Sequence, residues 1–463
     1  MIDCTKTDDI YEFRDKRIAG AFRAQSGQDP TEIQQMAREY HRRFVLIRGG
    51  ELDAKYARES SIPFTEVLAI ATHAATVAES MPLETIRWSQ MAATRCEQRR
   101  LYGRAIRELE PALSLVNNRD DLAIPTLQRI ELFLMHAQLT LDAEEQADLA
   151  LASLEQAQGL LNRCVDADDE INHRISLLRG LAMYQQRRFS DAANTVQAVA
   201  DDPSAPVWMG ARAHFVIALS MDPRTQAADK HQVLEELLTA TITAIKESTD
   251  PLATHHLILL QSEICNSLGM SRLHHAGDTQ GAQEIFQRSI ELNRSPRVAD
   301  RKGEAIGHGG LGDVYKATGR IEKARESYEL NLSISRETGD IAGIMRMTSM
   351  LGGIAMEEYE SETTQAERVR HLNEARRYYE ESALLAVKSK RTIALKFALE
   401  GLIRIEVAEK ASGAMLVQTI EEAITEGSVD AMVADAVLQA IADVELPATA
   451  IEQIKTLLKP LAS

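Results

Sequence analysis

Apolar residues recur three and four positions apart along most of the chain, the spacing of an amphipathic α-helix. Within roughly residues 84 to 410 the recurrence takes one form. A small residue is followed four positions on by a larger apolar one, and three positions later by a small or apolar one. The sets are Ala105/Leu109/Ala112, Ala150/Leu154/Ala157, Ala192/Val196/Val199, Ala282/Phe286/Ser289, Ala324/Tyr328/Asn331 and Ala375/Tyr379/Ser382. Their first members are separated by 45, 42, 90, 42 and 51 positions, and because 90 is twice 45 a further unit should lie between Ala192 and Ala282. Leu237/Thr241/Ala244 in "VLEELLTATITA" is the candidate. A second helix precedes each set, usually by about a dozen residues, and carries its own small residue: Ala93, Ala137, Gly180, Gly269, Gly312 and Gly352. Spacings of four and three put these residues on one helical face, where small groups let two antiparallel helices approach closely. Each unit therefore reads as a helical hairpin, and the chain as an all-α array of about seven of them.

The flanks read as further helices. "DPTEIQQMAREYHRRFVLIRGG" predicts a helix that starts at Asp29-Pro30 and stops at Gly49-Gly50, and "FTEVLAIATHAATVAES" another ahead of Pro82. "MLVQTIEEAI", "DAMVADAVLQAIADV" and "ATAIEQIKTLL" predict shorter helices that cover the last apolar face, as arrays require. Between Gly352 and Ala375 there are 23 positions where Gly312 to Ala324 has 12, so polar "YESETTQAERVR" should form a projecting loop or lengthen the helices around it. The expected division is 1–80 as an N-terminal helical region, 81–410 as the array, and 411–463 as a cap.

The segment "LGDVYKATGRIEKARESYELNLSISRETGD" resembles a tetratricopeptide repeat, with Leu311-Gly312, Tyr315, Ala324 and Tyr328 in the order and spacing of that family. "LRGLAMYQQRRFSDAANTV" and "AATRCEQRRLYGRAIREL" repeat the pattern with Gly180/Ala192/Val196 and Ala93/Ala105/Leu109. The interval of 42 to 45 exceeds the usual ~34, and in this the chain is similar to the long-helix versions in kinesin light chains and bacterial signalling proteins. The resemblance implies a right-handed α-solenoid superhelix with a concave groove lined by the first helix of each hairpin.

Composition narrows the functional classes. Aromatic residues make up only 5% of the 463, and Ala, Leu and Ile dominate the apolar share, which favours helices over sheets. The net charge of −17 opposes non-specific binding to nucleic acid or anionic lipid. Two basic stretches, one with Arg87, Arg95, Arg99, Arg100, Arg104 and Arg107 and one from Arg368 to Lys396, read as solvated helix faces, with docking of an acidic partner as the alternative. Cys4, Cys96, Cys164 and Cys265 are scattered without a CxxC pair, and the polar start "MIDCTKTDDIYEFRDKR" lacks the apolar core of a signal peptide. The expectation is a soluble cytoplasmic protein with no membrane span.

The most pointed chemical motif is "AIGHGGLGDVYKATGR", in which Gly307, Gly309, Gly312 and Val314 spell GxGxxGxV. A phosphate cradle of that form follows a β-strand, and the preceding "SPRVADRKGEA" is charged and has no β-branched apolar run. Gly312 is explained by helix packing, but Gly307, Gly309 and Gly310 would each weaken a helix by about 1 kcal/mol relative to alanine and need compensation. If the unit folds as its relatives do, Ile306, Gly309, Asp313, Lys316 and Ala317 face the groove, and bare Gly309 would let a ligand backbone come close. The same offsets give Glu263, Asn266, Met270 and His274 in the preceding unit and Arg346, Ser349, Met356 and Glu357 in the following one.

This face mixes both charges with apolar residues and lacks the lysine and asparagine cluster of members that grip a terminal carboxylate. The pairs His255-His256 and His274-His275 supply no HxxxH or HExxH, so no metal is expected, and no motif indicates catalysis or a cofactor. Met345, Met347, Met350 and Met356 read as core filling. The expected function is an interaction module that binds a peptide or protein segment through Glu263, Asn266, His274, Gly309, Asp313, Lys316, Arg346, Ser349 and Glu357. The alternatives are a peptide-sensing regulator whose superhelix tightens on its ligand, and a nucleotide-binding enzyme that uses Gly307 to Gly312.

Overall fold

The computed structural model describes residues 4–7, 10–13, 30–56, 63–97, 99, 101–118, 124–143, 147–164, 169–222, 224–442 and 444–462. Asp29 and Arg100, named above, lie outside them. The described residues are helical apart from connections and one short antiparallel pair, β1 (Cys4–Thr7) with β2 (Ile10–Phe13), in which Cys4 stands opposite Phe13. The pattern did not predict this pair, which precedes the array and leaves its all-α character intact. The chain divides into two compact units, Met1–Ala205 and Pro206–Ser463, and the breaks expected near residues 80 and 410 fall inside them.

The first unit contains α1 (Pro30–Tyr56), α2 (Phe64–Thr76), α3 (Pro82–Glu97), α4 (Tyr102–Asn118), α5 (Thr126–Asp142), α6 (Ala147–Leu161), α7 (Asp169–Gln185) and α8 (Phe189–Asp201). α1 runs through Gly49-Gly50 rather than stopping there. The reason is packing: a Cβ on Gly49 would stand 3.0 Å from the indole of Trp88, which is fully buried. A buried contact between His41 and His73, Nδ1 to Nδ1 at 2.7 Å, joins α1 to α2. Burial, with the charge of His73 second, pushes the His41 pKa down to about 4.

The second unit contains α9 (Val207–Ser220), α10 (Ala227–Glu247), α11 (Pro251–Ser271), α12 (Thr279–Arg294), α13 (Arg301–Ala317), α14 (Ile321–Thr338), α15 (Ile341–Ser361), α16 (Gln365–Lys388), α17 (Thr392–Glu409), α18 (Ala414–Thr425), α19 (Ala431–Ala442) and α20 (Ala448–Leu458). The unit inferred between Ala192 and Ala282 is the hairpin α9–α10. Its buried stripe comprises Leu234, Leu237, Leu238 and Thr241, while Ala244 is half-buried, so the stripe begins earlier than expected. The insertion after Gly352 lengthens α15 and α16 to 21 and 24 residues. Aspartates start several helices: Asp250 accepts from the amides of Leu252 and Ala253, Asp278 from Gly281, and Asp300 from Lys302. Gly339, at φ 73°, ends α14 in the left-handed conformation.

The glycine-rich stretch is helix, not loop. Gly303, Gly307 and Gly310 lie along one side of α13, where a Cβ would come within 2.6, 2.6 and 2.3 Å of Asn293, Ile290 and Phe286 of α12. Gly309 and Gly312 lie toward α14, where the corresponding approaches are 2.8 Å to Asn331 and 2.3 Å to Tyr328. α13 is thus wedged between two helices, and close contact on both sides supplies the compensation that its glycines demanded. These glycines are buried and their amides belong to a helix, so the phosphate cradle of the nucleotide alternative does not form.

Candidate functional site

The contacts of α13 with α12 and α14 run in descending order of residue number, as antiparallel neighbours require, and Ser349 to Ser382 and Gly352 to Tyr379 do the same for α15 and α16. First helices of successive hairpins therefore run parallel, and ion pairs join them directly to one another. Arg212 of α9 meets Glu263 of α11 at 2.6 Å, Asp313 of α13 meets Arg346 of α15 at 2.6 Å, Lys316 meets Glu357 at 2.9 Å, and Glu360 of α15 meets Arg404 of α17 at 2.7 Å.

The structure brings four sequence-derived candidates, Asp313, Lys316, Arg346 and Glu357, into this row of ion pairs. Their side chains keep between 14% and 44% exposure, so they are paired and still reach solvent. Glu263 belongs to the same row through Arg212. Four other candidates do something else. Gly309 is buried, and Asn331 fills the space beside it, donating from Nδ2 to the carbonyl of Ala305 at 2.6 Å. The expected approach of a ligand backbone to Gly309 is corrected accordingly: the missing side chain makes room for a neighbouring helix. Ser349 is buried against Ser382, with the two hydroxyls 2.9 Å apart, and Asn266 is buried as well. His274 stands exposed in a π-helical turn, Arg272–Ala276, at the end of α11 and joins none of these residues.

One position escaped the sequence reading. The residue after the packing glycine is Met270 in α11, Asp313 in α13 and Gly353 in α15. The ring packed over that glycine from the second helix is Phe286, Tyr328 and Tyr379 respectively. In the first of these hairpins both partners are apolar. In the second, the Tyr328 hydroxyl donates to Asp313 Oδ1 at 2.7 Å, and burial followed by the Asp313 charge drives the phenol pKa far up. In the third, Tyr379 is 5% exposed and its hydroxyl faces Gly353, with no hydrogen-bond partner among the described residues. A Cβ on Gly353 would find only the Tyr379 oxygen at 3.7 Å and Lys316 Nζ at 3.9 Å within reach. Burial raises the Tyr379 pKa, so the phenol remains a donor at neutral pH. Aligning the residue after each packing glycine, and asking what its tyrosine bonds to, would have singled out Gly353.

Two clusters of charged side chains are held by arginines. Glu304, 3% exposed, receives Arg294 at 2.6 Å and Arg301 at 2.5 Å, while burial and Arg294 hold the adjacent His308 below its ordinary pKa. Glu358, His371 and Glu374 place three ligand atoms within 4.8 Å of one another. The Arg325 guanidinium already sits between the two carboxylates, 2.5 Å from Glu358 and 3.0 Å from Glu374, so a cation there would meet a fixed positive charge. His255 bonds the carbonyl of Arg297 and His256 stacks on Trp208, so the two rings serve different neighbours.

The tetratricopeptide repeat family matches residues 308–338. No curated protein sequence matches the chain. Similar solved structures include the Rap conjugation gene regulator of plasmid pLS20 in complex with the Phr* peptide, at 14% identity over 75% of this chain and 97% of that one with a TM-score of 0.45. A Rap protein complexed with competence and sporulation factor follows at 11% identity, 83% and 98% coverage and a TM-score of 0.44. The human IFIT1 dimer with PPP-AAAA shows 12% identity, 97% and 89% coverage and a TM-score of 0.45. The chain contains a tetratricopeptide repeat, and within each of its two units successive helical hairpins pack side by side as in an α-solenoid.

Proposed function

We propose that the second unit is an interaction module that holds a segment of another protein, extended or helical, across the first-helix face of α11, α13, α15 and α17. One observation carries this reading: that face presents charges of both signs already fixed by pairing, beside uncovered apolar side chains such as Ile306, 40% exposed, and Phe397, 50% exposed. A face ordered before its partner arrives leaves most of the ordering cost to the partner, and mixed charge selects partners by pattern. The net charge of −17 argues for a protein partner over nucleic acid, and a role without catalysis fits the paired state of the charged clusters.

An array of amidated peptides tests this with the full-length chain. A set of binders should appear that Arg346→Glu and Phe397→Ala weaken, whereas Leu330→Ala, on the exposed surface of second helix α14, leaves them unchanged. If no peptide binds, or if all three variants bind alike, the face has another purpose.

A further inference from the structure

At the position after the packing glycine the hairpins of α13–α14 and α15–α16 differ, and the difference leaves a polar group without its counterpart. Asp313 supplies the acceptor for the buried Tyr328 hydroxyl. One hairpin later the aspartate is Gly353, while the tyrosine, Tyr379, is retained and almost as deeply buried. Phenylalanine would fill the same space without a hydroxyl, as Phe286 does two hairpins earlier against Gly269. The gap is also flanked by positive charge. Lys316 Nζ lies 3.9 Å from where the Gly353 Cβ would be, and of the paired charges farther out Arg404 lowers the Tyr379 pKa against the effect of burial while Glu357 and Glu360 raise it.

We propose that the gap at Gly353 is a carboxylate subsite: a carboxylate of the bound segment takes the place that the Asp313 side chain holds beside Tyr328, accepting from the Tyr379 hydroxyl and from Lys316. Lys316 then shares its protons between Glu357 and the incoming group. Water can occupy the place in the free protein, and a carboxylate replaces it with shorter, charge-assisted hydrogen bonds. The residue beside that carboxylate is apolar. The Glu360–Arg404 pair fixes the register of parallel helices α15 and α17, and two turns back on each stand Gly353 and the exposed Phe397. The subsite deepens the interaction reading above and rests on it for the identity of the ligand as part of a protein segment.

The test uses the full chain with carbon-13 label in its tyrosine rings, the Tyr379 signal being assigned by its loss in Tyr379→Phe. N-acetyl-aspartate N-methylamide should shift that signal saturably with a millimolar dissociation constant, ordinary for a fragment of this size. The asparagine analogue should bind at least about tenfold more weakly. N-acetyl-alanine, which offers only a terminal carboxylate, separates the two sources of the group: the stronger of the two acids identifies which one the subsite takes. Gly353→Asp should move the Tyr379 signal before any probe is added and abolish its response, and Lys316→Met, which leaves the gap open, should weaken the response to both acids.

A Tyr379 signal indifferent to every carboxylate, or equally responsive to the aspartate and asparagine compounds, overturns the subsite. Peptides that bind the face without any preference for acidic residues overturn it too, while leaving the interaction reading intact. Fragments that bind at Gly353 when no peptide binds the face have the opposite meaning.

Discussion

Tyr328 and Tyr379 occupy the same place in successive hairpins, each ring pressed against the packing glycine of its own first helix, Gly312 or Gly352. Around Tyr328 everything is closed: the hydroxyl donates to Asp313, and Asp313 in turn holds Arg346 of the next first helix. Around Tyr379 the same hydroxyl meets a glycine, and an ammonium already paired with Glu357, that of Lys316, lies 3.9 Å from where the glycine's Cβ would be. The comparison separates two uses of one scaffold. Where the polar group is satisfied internally it contributes to stability, and where its partner is missing it has been left available for something outside the chain.

The contrast can be pressed hardest at the glycines themselves. Gly312→Ala drives a methyl to 2.3 Å from Tyr328 Cε1 and should cost about 3 kcal/mol by urea unfolding, because ring and helix must both shift. Asp313→Ala comes next, at about 2 kcal/mol, since it strands a buried phenol and releases Arg346. Gly353→Ala should have the opposite sign, raising stability by about 0.5 to 1 kcal/mol, because a methyl there has room and alanine is the better helix former. The smallest effect belongs to Arg346→Ala. It breaks a pair whose arginine is 44% exposed and should cost about 0.5 kcal/mol, less in high salt. A loss at Gly353→Ala as large as that at Gly312→Ala would erase the distinction between the two hairpins.

Much of the architecture was legible because solenoid packing writes a repeating constraint into the chain. Ala192/Val196 and Ala324/Tyr328 are buried where the period put them, and the period located the α9–α10 hairpin despite its weak composition. The failures share a cause. The lack of a side chain at Gly49 and Gly309 suggests a helix stop and a ligand approach, but its cause is a neighbour, Trp88 or Asn331, distant in sequence. For the same reason Ser349 and Asn266, placed on the open face by helical offset, turned out buried between helices, since the exact rotation of each helix depends on partners that no local pattern encodes. Asp313, Lys316, Arg346 and Glu357 were found by offset alone, but their mutual pairing appears only once parallel first helices are set side by side.

The most direct test of the account is the stability change on removing each hydroxyl, measured as urea unfolding of the full chain with Tyr328→Phe and Tyr379→Phe. Tyr328→Phe should lose about 1.5 to 2 kcal/mol, the worth of a buried hydrogen bond to a carboxylate. Tyr379→Phe should stay within about 0.5 kcal/mol of the unaltered chain, since no described residue receives its proton. Equal losses at the two sites would mean that the Tyr379 hydroxyl is already satisfied within the fold, and that the gap at Gly353 awaits nothing.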